Sequence, residues 1–164
     1  MANQNSTLTQ EYLHSLFYYK DGNLYSKINR YKTTIRKNDL IKCYLKSGYL
    51  RTCINYKSYR IHRLIFMMHH GYLPKQIDHI NGIKDDNRIE NLRAATQSQN
   101  LFNRTLTKSN TSGVKNVTFE QNKYRVRLRI NKKLINIGTF DNLELAELVA
   151  IEARDKYHGE FARS

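Results

Sequence analysis

The chain has 164 residues, room for one ordinary domain or two small ones, and only 40% of them are apolar, so any core is modest. Twenty-eight lysines and arginines against 14 aspartates and glutamates leave a formal charge of +14, which favours a polyanionic partner, nucleic acid or an acidic membrane. The longest apolar run, Leu64-Ile-Phe-Met-Met68, is too short to span a bilayer, and the polar start Met1–Gln10 has no apolar signal core, so a soluble, intracellular protein with no membrane partner is expected. Two cysteines, Cys43 and Cys53, with no Cys-x-x-Cys pair, argue against a thiolate zinc site and against a disulfide framework.

Residues 1–63 read as short strands. Tyr18-Tyr-Lys-Asp-Gly-Asn-Leu-Tyr25 centres on Asp21-Gly22, a two-residue hairpin turn signal. Ser47-Gly48 predicts a second turn, between strands Ile41–Leu45 and Tyr49–Ile54. Over 20–63 twelve Lys and Arg stand against two Asp, so this basic segment is expected to face phosphate. Ile61–Gly71 reads as a helix, with Gly71 as its stop and Pro74 just beyond. His69 and His70 are neighbours on that helix and point apart, a poor metal pair; they read as structural or surface residues, and His62 as structural.

A strand Gln76–Ile80, a polar loop over 81–90, a second strand Asn91–Ala95 and a helix opened by the capping box Thr96-Gln-Ser-Gln99 give a β-loop-β-helix order, with Asn100 on the helix. Thr105–Gly113, rich in Ser, Thr and Asn, reads as a linker. Beyond it, Tyr124, Val126, Leu128 and Ile130 alternate with Arg125, Arg127, Arg129 and Asn131, the period of a half-buried strand with an arginine stripe on its open face. Strands Val114–Phe119 and Leu134–Gly138 flank it. A helix is expected from Asp141, with Glu144 completing a capping box and Leu143, Ala146, Val149, Ala150, Ala153 and Tyr157 as its apolar face.

The middle segment has residues suited to phosphodiester hydrolysis. That reaction needs an activated water, relief of charge on the phosphate and help for the departing oxygen, and a hard divalent ion supplies the last two. Asp78 is a suitable oxygen ligand, and His79 is a natural base near neutral pH. Its second nitrogen needs an acceptor, a backbone carbonyl across the hairpin or Asn91. Asn100 offers a second ligand oxygen. A calcium loop over 78–90 fails on register, because Gly82 falls at the fifth place and Glu90 at the thirteenth.

Ile61-His-Arg-Leu64, Ile77-Asp-His-Ile-Asn-Gly82, Asp86-Asn-Arg-Ile-Glu-Asn-Leu-Arg93, Ala95-Thr96 and Asn100–Asn103 together resemble the HNH homing endonucleases of phages and introns over about 61–104. The resemblance implies a ββα-metal core, with His79 as general base and Asp78 as metal ligand. It implies that Asn91 orients His79 and braces the hairpin loop. Asn100 takes the last family position, often a histidine. It also implies one divalent ion, magnesium first and manganese as the alternative. Ser112-Gly-Val-Lys-Asn-Val-Thr-Phe119, Lys123-Tyr-Arg-Val-Arg127, Ile137-Gly-Thr-Phe140, Ala146 and His158-Gly-Glu-Phe161 resemble the Apetala/ethylene-response-factor DNA-binding domain over about 112–162. That resemblance implies a three-stranded sheet laid in the major groove, with Lys123, Arg125, Arg127 and Arg129 toward DNA. The family often uses tryptophan on the sheet; this chain has none, and Tyr124 takes one such place.

The expectation is therefore an α+β protein in three parts. Residues 1–104 form a β-rich segment and an HNH core, 105–113 a linker, and 114–164 a DNA-binding sheet with one helix. The expected function is site-selective, metal-dependent cleavage of double-stranded DNA without a small-molecule cofactor, by a monomer or homodimer in the cytoplasm of a phage-infected bacterial host. The alternatives are a non-catalytic DNA-binding regulator and a sequence-indifferent toxin nuclease.

Overall fold

The structure is a computed structural model that describes residues 8–31, 33–104, 106 and 109–162. Helix and strand are mixed, and the chain divides into two compact units, 1–94 and 95–164. The N-terminal residues 1–7 and positions 105, 107 and 108 of the expected linker lie outside the described residues. Among the described residues no helix is long and apolar enough to cross a membrane. Cys43 and Cys53 are both free and exposed.

The first unit starts with a helix that the reading of 1–63 as strands missed. It is α1, Gln10–Leu16, capped by the Thr9 side chain on the Tyr12 amide. Strands β1 (Phe17–Lys20) and β2 (Asn23–Ser26) follow, joined by Asp21 and Gly22 at φ 47° and 79°. Two positive φ values in a two-residue loop match the right-handed twist of a hairpin. The Ser47-Gly48 turn is present, with Gly48 at φ 85° and Gly48 N donating to Leu45 O. The strand expected at 41–45, however, reduces to isolated bridges, Tyr44 with Leu50 and Leu40 with Tyr25. A second hairpin stands instead at β3 (Arg51–Ile54) and β4 (Lys57–Arg60), turned by Asn55 and Tyr56 at φ 47° and 62°.

Helix α2, Ile61–His70, fits the expected span, and Gly71 at φ 72° stops it. Ile61, Leu64, Ile65 and Met68 recur at helical spacing and are buried with Leu13, Phe17 and Leu24 in one core. Each such buried side chain contributes roughly 1.5–3 kcal/mol. Helix α1 also ties down the end of α2, because Gln10 Nε2 donates to Met68 O at 2.7 Å. Beyond α2 lie β5 (Gln76–His79) and β6 (Leu92–Ala95), which pair in a two-stranded sheet.

The second unit takes in α3, Gln97–Phe102, with both halves of the Thr96/Gln99 capping box in place. There the Phe102 ring stacks on His158 at 3.6 Å. Strands β7 (Val117–Glu120), β8 (Lys123–Ile130) and β9 (Lys133–Phe140) form an antiparallel sheet, and helix α4 (Leu143–His158) covers one face. Strand β7 begins three residues later than expected. The alternation along β8 appears as Val126 and Leu128 fully buried against Ala146, Ala150 and Ala153. Two details of α4 differ from expectation. Its cap is Asn142, which accepts from the Glu144 and Leu145 amides, while Asp141 pairs with Lys123. Its inner face ends on Arg154 and His158, leaving Tyr157 exposed, since 146, 150, 154 and 158 follow a strict four-residue spacing.

Candidate active site

The loop between β5 and β6 is closed by one side chain. Asn91 Oδ1 accepts from the Asn81 amide at 3.0 Å, and Asn91 Nδ2 donates to Asn81 Oδ1 at 2.9 Å and to Asp86 O at 2.7 Å. Asn91 is 6% exposed, so these bonds form away from competing water. Asn81 Nδ2 also donates to Asp86, and Arg88 forks onto both oxygens of that carboxylate at 2.8 Å. The Arg88 bonds hold the Asp86 carboxyl well below its usual range, at about 2. From behind, the β1–β2 turn supports the loop. A Cβ on Gly22 would stand 2.9 Å from Arg88 N, and the Tyr19 hydroxyl accepts from the Ile89 amide.

This frame holds His79. Its ring is 5% exposed, and its Nε2 lies 3.1 Å from Asn87 Oδ1. An amide oxygen only accepts, so Nε2 carries the proton and Nδ1 keeps its lone pair. Burial pushes the imidazole below its ordinary pKa, against an upward pull from Asn87 and the carboxylates of Asp78, Asp86 and Asp85. The ring is thus neutral at pH 7, the form a base needs. His62 meets it edge-on with centroids 5.0 Å apart, and Tyr49 lies 5.2 Å from His62 and 5.9 Å from His79. Burial, followed by the charges of His79, Arg60 and Arg63, lowers His62 to about 3. Arg60 and Lys84 both lie over the Tyr49 ring, at 4.6 and 5.3 Å, so this cluster has a cationic rim.

Next to His79, the Asp78 carboxylate is buried and takes Arg93 Nε at 3.0 Å and Nη2 at 2.8 Å on one oxygen, Oδ2. The backbone bond from Ile80 N to Asn91 O sets the hairpin register that brings residue 93 opposite 78. Among the described residues no group of three or more His, Cys, Asp or Glu side chains is gathered for a metal ion.

A family model described as HNH endonuclease matches residues 59–101, the stretch holding all of these hairpin residues. Protein 3.8 of Escherichia phage T7 is 34% identical over 112 residues, which cover 66% of this chain and 92% of that protein. An uncharacterized HNH endonuclease of Acanthamoeba polyphaga mimivirus is 35% identical over 128 residues, 74% of this chain and 65% of that one. The chain carries an HNH endonuclease domain. No solved structure matches it.

Within the HNH domain the structure brings Asp78, His79 and Asn91 onto one hairpin. Asn100 lies on α3, in the second unit, its amide donating to Thr96 O. Asn87, which the sequence reading places only in the loop, meets the His79 ring, and Asn91 braces that loop through Asn81 and Asp86 O. Arg93 and Tyr49 carry no role in the sequence reading, and His62, read there as structural, lies against the His79 ring. The hairpin register was the one available signal for Arg93.

The arginine stripe lies on the sheet face opposite α4. Arg125 and Arg127 are half-buried and Arg129 is exposed, while Lys123 pairs with Asp141 at 3.1 Å.

Proposed function

We propose that this HNH protein is a site-selective DNA endonuclease of homing type. It hydrolyses phosphodiester bonds with His79 as general base and one divalent ion, and its C-terminal sheet, of Apetala/ethylene-response-factor type, holds duplex DNA through Lys123, Arg125, Arg127 and Arg129. The functional parts are 1–104, with a ββα-metal core over about 61–104, a 105–113 linker and 114–164.

One observation carries this reading. The bond from His79 Nε2 to Asn87 Oδ1 leaves a neutral ring with its lone pair on Nδ1, next to a carboxylate. In the proposed step Nδ1 takes a proton from water as the water oxygen bonds to phosphorus. The bond from phosphorus to the 3′ oxygen breaks, and that oxygen takes a proton from solvent. A 5′-phosphate and a 3′-hydroxyl result. Asn91 contributes by keeping the loop, and so Asn87, in place.

Asp78 and Asn100 are oxygen donors, the chemistry that a hard ion such as magnesium takes, with manganese as the alternative. The Arg93 guanidinium on Asp78 Oδ2 is a cation already seated on this carboxylate, an observation that fits a cation-binding role. A bound ion would relieve charge on the phosphate and assist the departing oxygen. The cationic rim of Arg60 and Lys84, and the basic segment 20–63, would meet the DNA backbone.

His79→Ala tests the reading. Cleavage of duplex DNA in magnesium should vanish while duplex affinity stays near that of the parent. Equal loss of both would remove His79 from catalysis, and an intact parent that never cuts would leave the regulator alternative standing.

A further inference from the structure

Arg125 and Arg127 sit two apart on β8 and so share the face away from α4. The last residue of β7, Glu120, reaches both. Its Oε2 accepts from Arg125 Nη1 at 3.2 Å and its Oε1 from Arg127 Nη2 at 2.6 Å. Thr118 Oγ1 takes Arg127 Nη2 as well, at 2.9 Å. Farther along the same strand, Arg129 makes no ion pair among the described residues. The stripe is thus of two kinds, a free arginine and two arginines bridged by one carboxylate.

We propose that Glu120 is a specificity-determining residue, holding Arg125 and Arg127 for base edges and against the phosphate backbone. This rests on the reading of the sheet as a DNA-binding face. Glu120 is 41% exposed on its side chain, so both pairs lie within reach of solvent and can be exchanged for DNA. A phosphate that approaches either guanidinium offers the same charge-assisted acceptor that Glu120 already provides, and it repels the displaced carboxylate. A guanine edge is neutral and offers two acceptors, O6 and N7, to one planar fork. It can bind the free donors of the fork while Glu120 keeps its own bond and holds the plane still. The carboxylate therefore weakens backbone contacts more than base contacts, and the ratio between the two is specificity.

The test uses the full chain in a chelating buffer that prevents cleavage. Anisotropy measures binding to a short random-sequence duplex and to a duplex that the parent protein enriches from a random pool. Glu120→Gln keeps the shape and removes the charge. It should bind the random duplex about tenfold tighter, with a salt dependence steeper by about one phosphate contact. The enriched duplex should gain less, so discrimination falls. Arg125→Ala and Arg127→Ala should weaken both duplexes. If the two alanine variants bind like the parent, the sheet is not the DNA face and the underlying reading fails. If they weaken binding but Glu120→Gln leaves the random duplex and the ratio unchanged, or loosens the random duplex, the role of Glu120 is overturned. A pool from which the parent enriches nothing overturns it too.

Discussion

His79 Nε2 donates a hydrogen bond to Asn87 Oδ1, 3.1 Å away, and the loop that carries Asn87 is closed by Asn91, four residues beyond it. Asn87→Ala removes that acceptor and weakens the hold on the ring's tautomer. The cleavage rate should fall roughly 10- to 100-fold, the usual effect of losing such an orienting partner. Duplex affinity should not move. Single-turnover cleavage beside anisotropy on the same preparations checks it, and an affinity loss parallel to the rate loss would place Asn87 in DNA binding instead.

Asn91→Ala should act on stability first. It leaves the Asn81 amide and Asp86 O, both half-buried, without their partner. Each orphaned group costs roughly 1–3 kcal/mol. Urea unfolding followed by circular dichroism reads the loss directly. An unchanged midpoint would mean that the loop closes without this side chain.

Gly22→Ala tests whether the N-terminal hairpin supports the active loop. The position has φ 79°, and a Cβ there would stand 2.9 Å from backbone N of Arg88. The left-handed conformation alone costs about 1 kcal/mol or more, and the contact forces residues 87 and 88 to shift. Both stability and cleavage should drop, although Gly22 is far from residue 78 in sequence. A variant that is less stable but cuts at the parent rate would separate the hairpin from the site.

Stability should fall with acid through His62. Its pKa is lowered from 6.5 unfolded to about 3 folded, chiefly by burial. Between those values the unfolded chain binds a proton that the folded chain refuses, so the contribution is fully present above pH 6.5 and is lost as pH falls toward 3. The slope is at most about 1.4 kcal/mol per pH unit in that window. Urea midpoints at several pH values should show it, and His62→Leu should flatten it. A parallel curve for the variant would assign acid sensitivity elsewhere.

The sequence carried the elements whose signals are local. Gly71 ends α2 because only a left-handed residue stops it there, Thr96 and Gln99 form their box within one turn, and β8 alternates over eight residues. Less was legible where tertiary packing decides. Helix α1 is seven residues long and holds because Leu13 is buried against α2, not through propensity. The Asn55-Tyr56 turn has no glycine to announce it. In the site, Asp78 and His79 stood out as a dipeptide, but Asn87 and Arg93 reach them only through the fold of the loop.

Arg93 decides how Asp78 is available to a cation. Both side chains are largely buried, 15% and 5% exposed, and the guanidinium lies on Oδ2. Removing it leaves a buried carboxylate without this counter-charge, at a cost of roughly 3 kcal/mol. Arg93→Gln should therefore melt below the parent in chelator. Magnesium should then raise its melting temperature by more than it raises the parent's, since the ion no longer competes with a guanidinium. Asp78→Asn should abolish the magnesium response in both backgrounds. Thermal melts with and without magnesium, and without DNA, read this apart from cleavage. A parent and an Arg93→Gln variant that respond alike to magnesium would mean that the ion does not meet Asp78 in the free protein.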